Sequence, residues 1–213
     1  MAEEVPQEIP DLPEEEPFIE DKKESGVKEH GKKPAKKALL SSAQIVVALA
    51  FGGAALLVVL AKITFPIPGT PVVTDPREVF TTIGASLSGP IGGIIIGILA
   101  GIAEPDIPLA SMLAHILGGI FSGFAYKTVT WRFIEKKPVF IAAWVVQVLI
   151  YYFVVVLPLF VIGSMVFYPD PEYNFSTFYR DLSLGVVREV ILTVVITAIV
   201  MLALPKRNKK PLW

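Results

Sequence analysis

The sequence contains no cysteine, which excludes a disulfide framework, a thiolate nucleophile and any cysteine-ligated metal. It contains two histidines, His30 and His115, too few for a multi-histidine metal centre. No G-x-x-x-x-G-K-[ST] phosphate loop occurs, so the chain does not use ATP in that way. The SLSG stretch at 86–89 is not the G-x-S-G pattern of an intramembrane serine protease. With no convergent catalytic constellation, no enzyme, no metal site and no cofactor is expected. The basic segments lack interleaved aromatics and do not resemble a nucleic-acid surface. No long-range internal repeat of the kind common in secondary transporters is visible. The first 21 residues hold nine acids and no Lys or Arg, the reverse of a signal-peptide n-region, so no cleavable leader is expected.

What is abundant is apolar. Of 213 residues, 53% are hydrophobic and the mean hydropathy is +0.61, too apolar for a water-soluble domain. Several runs approach the ~20 residues that span a bilayer. The expected class is therefore an all-α, multi-pass membrane protein with one domain over 39–204 and tails at 1–38 and 205–213. The first tail is rich in Glu and Pro in its first half. Its second half turns basic, with Lys22, Lys23, Lys28, Lys32, Lys33, Lys36 and Lys37, and it has little to bury. Those lysines either contact anionic headgroups or a partner, or only set topology.

Six helices are predicted, at 39–64, 75–88, 90–103, 108–131, 139–164 and 178–204. The second and third are short for a bilayer, ~21 Å each at 1.5 Å per residue. Parity supports six rather than five. If the two short helices were one broken span, the basic connection around Lys127, Arg132, Lys136 and Lys137 would lie opposite the basic tail. With two spans, 15 of the 19 Lys and Arg residues fall on one side, Lys206, Arg207, Lys209 and Lys210 among them. The positive-inside rule then places both termini in the cytoplasm. The loops at 65–74, 104–106 and 165–177 lie outside. The last carries Phe167, Tyr168, Tyr173 and Phe175, either an interfacial belt or a lid.

The organising stretch is 65–101. Asp75 is positioned to cap a helix with Pro76 at its first position and Glu78 reaching back, a D-x-x-E capping box. After a break at Gly89-Pro90, Gly89, Gly93, Gly97 and Gly101 recur at every fourth residue, a smooth strip for close approach of a neighbouring helix.

Polar residues interrupt the apolar runs at helical spacing. Asp181, Gly185, Glu189, Thr193 and Thr197 form one stripe. Ser111, His115, Gly118, Ser122 and Tyr126 form a second, and Trp144, Gln147 and Tyr151 a third. Charged groups in a bilayer usually face a bundle interior or a wet cavity, so one shared cavity open to the outside is expected. Alternatives stand beside it: His115 as an interhelical hydrogen-bond donor, Arg188 and Glu189 in an ion network with Glu104 or Asp106, and the tyrosines as packing.

Over roughly 43–204 the residues resemble the substrate-binding S subunits of energy-coupling-factor (ECF) vitamin transporters. The resemblance lies in the P-x-P-G-x-P loop from Pro66 to Pro71 before a short helix, and in the small-residue run with GP at its turn, 84–101. The A-x-x-x-A spacing of Ala50 and Ala54 adds to it. The acidic tail departs from the short N-terminus usual there, and no signature for one vitamin is present. The resemblance implies a plasma-membrane binding subunit that captures a vitamin-like ligand from outside. It implies partnership with a transmembrane coupling subunit and two cytoplasmic ATPases. It further implies a lid at Pro66, Pro68, Gly69 and Pro71, and docking through Ala50 and Ala54. Within that picture Arg188 and His115 are expected as polar anchors, Glu189 as an acceptor, and Trp144 and Tyr151 as stacking surfaces, with Gln147 in the pocket. A membrane sensor or scaffold, and a stand-alone secondary transporter using Glu189 or Asp106, are the rival readings.

Overall fold

The computed structural model describes residues 40–66, 73–171 and 174–213. The tail at 1–38 and the expected lid residues Pro68, Gly69 and Pro71 lie outside these, and Pro66 is described by its backbone alone. Helix α1 is Ser42–Leu60. A two-residue ladder, β1 (Phe65–Pro66) with β2 (Val73–Thr74), pairs antiparallel and brings the ends of the following connection together. Then come α2 (Arg77–Ile102), α3 (Pro108–Thr128), a short 3-10 turn (Thr130–Phe133) and α4 (Lys137–Ile150). A π-helical turn (Tyr151–Val156) links α4 to α5 (Leu157–Phe167), and α6 (Phe175–Ala203) and α7 (Lys206–Lys209) complete the chain. Five helical stretches among the described residues are long and apolar enough to cross a membrane.

One of the five is a folded pair. Gly89 inside α2 has φ 84° and ψ −178°, a backbone open to glycine and not to side-chain-bearing residues, and Pro90 starts the second arm with no N–H to lose. The arms turn back on each other. Arg77 Nη1 donates to the carbonyl of Ala100 at 3.2 Å, and the space beside Gly84 is filled by Ile96 and Phe51. A straight 26-residue helix would put its ends ~39 Å apart. The expectation of two short helices at 75–88 and 90–103 therefore agrees with the geometry of this folded pair.

The glycine ladder does what its spacing requires. Gly93 lies against the backbone of Gly119, Gly97 against Ile116 and Gly101 against Met112, so the second arm and α3 pack antiparallel at backbone contact. Helix α1 runs parallel to that arm, with Gln44 Nε2 donating to the Ser88 carbonyl at 2.9 Å and Gly52 beside Ile96. The hairpin is the most enclosed element, 67% buried against 28% for α1 and 22% for α6. The outer faces of α1 and α6 carry the exposed apolar residues, among them Val46, Leu57, Leu184 and Ile199. That is the surface a lipid solvent demands.

Helix α1 is bounded locally. Ser41 accepts from Gln44 N while the Gln44 side chain accepts from Ser41 N at 2.8 Å, a complete capping box. At the other end Lys62 N–H reaches the Val59 carbonyl and Ile63 N–H the Val58 carbonyl, both at 3.0 Å, a Schellman closure. Lys62 occupies its left-handed position with φ 52°, where a side chain costs ~1–2 kcal/mol. Lys62→Gly is expected to raise the thermal midpoint by a few degrees, read by tryptophan fluorescence. An unchanged or lowered midpoint would show that the closure carries no strain.

The last residues, within the basic tail expected at 205–213, pack against the bundle. Leu212 N–H donates to the Leu87 carbonyl at 3.0 Å, the Tyr126 hydroxyl to the Lys209 carbonyl at 2.8 Å, and Lys127 Nζ stands 4.1 Å from the Trp213 ring centre. The indole of Trp213 sits at Gly89, and Lys206 pairs with Glu135. Burial, with Lys137 and Lys206 nearby, pulls the Lys209 pKa below its ordinary value. One end of the bundle thus gathers the start of α1, the hairpin vertex, the basic α3–α4 connection and the basic final segment. The opposite end carries Asp75, Arg77 and Glu104.

Candidate functional site

The short hairpin leaves a hollow. Its arms of 12 and 13 residues rise ~18–20 Å. The continuous stretch Lys137–Phe167 and helix α6 have 31 and 29 residues, or ~44–46 Å. Longer walls around a shorter centre leave space over the open end of the hairpin. There a cavity of about 250 Å³ is lined by Asp75, Arg77, Glu78, Glu104, Ser111, His115, Tyr152 and Glu189 on its polar side. Val156, Leu157, Phe160, Leu182 and Val186 form the apolar side. A second, almost wholly apolar cavity of about 270 Å³ lies between the start of α2 and α6 and shares Asp75 and Glu189 with the first.

The floor is a buried polar cluster. Glu78 Oε1 stands 2.6 Å from His115 Nε2, and His115 Nδ1 is 2.6 Å from the carbonyl of Ser111. A carbonyl only accepts, so Nδ1 carries a proton and Nε2 shares one with the Glu78 carboxylate. The second oxygen of Glu78 accepts from the hydroxyls of Thr81 and Tyr151. With Glu78 4% and His115 6% exposed, such a pair is stable only when every lone pair and proton is matched.

At the rim Arg77 is spent on its neighbours. Nε donates to Asp75 at 2.8 Å, Nη2 to Asp75 at 2.6 Å and to Glu104 at 2.7 Å, and Nη1 to Ala100 O. Asp75 also accepts from Arg77 N–H at 3.0 Å, but it is not the N-cap expected: Pro76, expected at the first helical position, is itself the N-cap and α2 starts at Arg77. Glu78 does not reach back in a capping box; a buried histidine and tyrosine offer its carboxylate stronger partners than a backbone amide.

On the facing wall the π-helical turn aims two consecutive tyrosines inward. Its wide ring is closed by Leu157 N–H to the Tyr152 carbonyl, immediately before Pro158, which has no N–H and crowds the turn before it. Tyr151 goes to Glu78. The Tyr152 hydroxyl donates to Glu189 Oε1 at 2.9 Å and lies 2.9 Å from Thr193 Oγ1.

No family model, curated protein or solved structure matches the chain.

The three polar stripes do converge, at two levels. His115 and Glu189 line the cavity, and Tyr151 lies behind it, holding Glu78. Trp144 and Gln147 are buried below, away from the cavity: Trp144 Nε1 donates to Thr197 Oγ1 at 2.8 Å. Gln147 accepts from Thr130 at 2.6 Å and donates to Ser86 at 3.1 Å. Arg188 is exposed on the outer face of α6, one helical step from inward-facing Glu189, so it neither lines the cavity nor pairs with Glu189. Glu104 pairs with Arg77 instead of Arg188. Asp181, the first member of the α6 stripe, is exposed and pairs with Arg180 at 2.9 Å. Ala50 is exposed and Ala54 half-buried on the outer face of α1, and nothing lies beside Gly53. Sequence reasoning missed Glu78, Asp75, Arg77, Glu104 and Tyr152 as wall residues. The signal for Glu78 was a carboxylate opening an apolar helix with no lysine or arginine three or four residues along it.

Proposed function

We propose that the protein is a membrane-embedded, non-enzymatic binding subunit of ECF type. It captures a small vitamin-like molecule in the cavity over the hairpin and passes it inward with partner subunits. The cavity itself carries this reading: an apolar wall with a few fixed polar groups, enclosed at one end of a bundle, is the form small-molecule sites take. The grouping of basic residues at the opposite end supports a plasma-membrane orientation in which that end and both termini are cytoplasmic and the cavity faces outward. The partners are a transmembrane coupling subunit, docked through the face of α1 that carries Ala50 and Ala54, and two cytoplasmic ATPases. The loop from Pro66 through Pro68, Gly69 and Pro71 is the lid.

Purified protein is to be screened by thermal unfolding against the water-soluble vitamins and their precursors. A ligand at a hundredfold excess over its Kd stabilises the native state by ~2.7 kcal/mol, so a specific binder raises the midpoint by several degrees. If nothing on the panel moves it, the binding-subunit proposal fails. Ala50→Leu with Ala54→Leu is expected to abolish co-purification with the coupling subunit and leave ligand affinity intact; retained co-purification would remove α1 as the docking face.

A further inference from the structure

The cavity over the hairpin adjoins the second one along Asp75 and Glu189, which border both. One face of α6 makes a wall of the second cavity: Glu189, Leu192, Thr193 and Ile196 follow at i, i+3, i+4 and i+7, a single stripe of a helix. Phe65, Pro76 and Val79 make the other. The polar members have protein partners. Asp75 accepts from Arg77 through both carboxylate oxygens, and Glu189 accepts from the Tyr152 hydroxyl, which also meets Thr193. The rest of the lining is hydrocarbon, against which a water finds too few partners to stay.

The second cavity is bordered by side chains that other helices do not cover. Phe65 is 46% exposed, Leu192 45% and Ile196 39%, and Ile191, Val195 and Ile199 continue the exposed apolar band along α6. Glu189 and Ile196 lie ~21 and ~32 Å from the start of α6, on a helix ~44 Å long. The opening is therefore near the middle of an apolar helix, far from the ends where water and headgroups are expected. The volumes, about 250 Å³ and about 270 Å³, each fall just under the usual range for small-molecule sites, and the two together fall inside it.

Resting on the binding-subunit reading, we propose that the ligand is an amphiphile, with a compact polar head in the first cavity and a flexible apolar tail in the second. The head meets the polar wall formed by Arg77, Glu104, Ser111 and His115. The tail passes between Asp75 and Glu189 and lies against Val79, Leu192 and Ile196, between the start of α2 and α6. Each methylene buried there improves affinity about fourfold, a gain that a compact molecule confined to the first cavity does not realise. The exposed apolar band around the opening lets the end of a longer tail reach lipid without crossing water.

The test compares vitamin-like heads with and without a tail. Nicotinamide is paired with N-hexylnicotinamide, pyridoxamine with N-hexylpyridoxamine and pantothenate with N-hexylpantothenamide, and lipoate joins the panel as a natural tailed acid. Kd is measured on the full chain in phospholipid nanodiscs, so that no detergent tail competes for the second cavity. For a head that fits, the tail is expected to lower Kd at least tenfold. A tail that changes Kd by less than tenfold, or weakens binding, overturns the amphiphile proposal while the binding-subunit reading stands, and it leaves the second cavity to bilayer lipid. If nothing binds, with or without a tail, that reading fails and the amphiphile proposal falls with it. Partitioning of the tail into lipid is separated from binding by two variants that place a ring in the second cavity from opposite walls, Val79→Phe and Leu192→Trp. In each, the tailed and compact members of a pair are expected to bind alike. Leu192 is the more exposed of the two, so Leu192→Trp decides the matter if Val79→Phe lowers the thermal midpoint. A tail gain that persists undiminished in a Leu192→Trp protein of native midpoint would overturn the assignment of the second cavity to the tail.

Discussion

Gly93→Leu is expected to unfold the centre of the protein. A side chain at Gly93 falls on the backbone of Gly119, and one at Gly119 falls on the backbone of Gly93, so neither helix has a flexible group that can yield. The second arm of α2 and α3 must separate, and the contacts at Gly97 with Ile116 and Gly101 with Met112 open along with them. Overpacking commonly costs ~1–3 kcal/mol. With backbone on both sides the upper end or more is expected, about 3 kcal/mol or above, which corresponds to ~6–12 °C in the midpoint for a chain of this size. Gly53→Leu is the control, because nothing lies within reach of its side chain and outward substitutions stay within about 0.5 kcal/mol. Thermal unfolding followed by circular dichroism decides it. Equal midpoints for the two variants would mean that the ladder is not what holds the helices together.

The second large effect belongs to Glu78 and His115. Removing one member of a buried, hydrogen-bonded pair leaves its partner desolvated and unmatched, at a cost of ~3–5 kcal/mol. Glu78→Ala strands both His115 and the Tyr151 hydroxyl, so it is expected to be worse than His115→Ala, which leaves Glu78 its Thr81 and Tyr151 donors. The double variant is expected to cost clearly less than the sum of the two singles, with a coupling of ~2–3 kcal/mol, within the range seen for residues in one network. Additive losses would show that the side chains do not act as a unit. Ligand affinity measured on whichever variants fold separates support from contact: a residue that touches the ligand changes Kd, and one that only supports the floor changes the midpoint.

The helix boundaries were legible because each has a local cause. Gly89-Pro90 breaks the second helix whatever surrounds it. Pro108 starts α3, and the Ser41–Gln44 box starts α1. The polar stripes were legible too, since helical spacing puts Glu189, Thr193 and Thr197 on one face, and that face is inward. Arg188 shows the limit. Spacing placed it one step from Glu189 but could not say which of two adjacent directions points into the bundle, because that depends on how α6 is rotated against its neighbours. Glu78 shows another. As a first-turn carboxylate it fits a cap by local rules, and only the arrival of His115 and Tyr151 from distant parts of the chain reassigns it.

Hydropathy and backbone punctuation, which act over a few residues, settled by themselves that this chain is a set of apolar helices with a sharp reversal at Gly89 and its basic residues clustered. Tertiary packing alone decided where the hollow lies, which charged groups border it, and that the final basic segment closes over the hairpin vertex. Those outcomes depend on the difference in length between the hairpin and its surrounding helices and on pairings between residues dozens of positions apart. Neither quantity is contained in any local stretch of sequence.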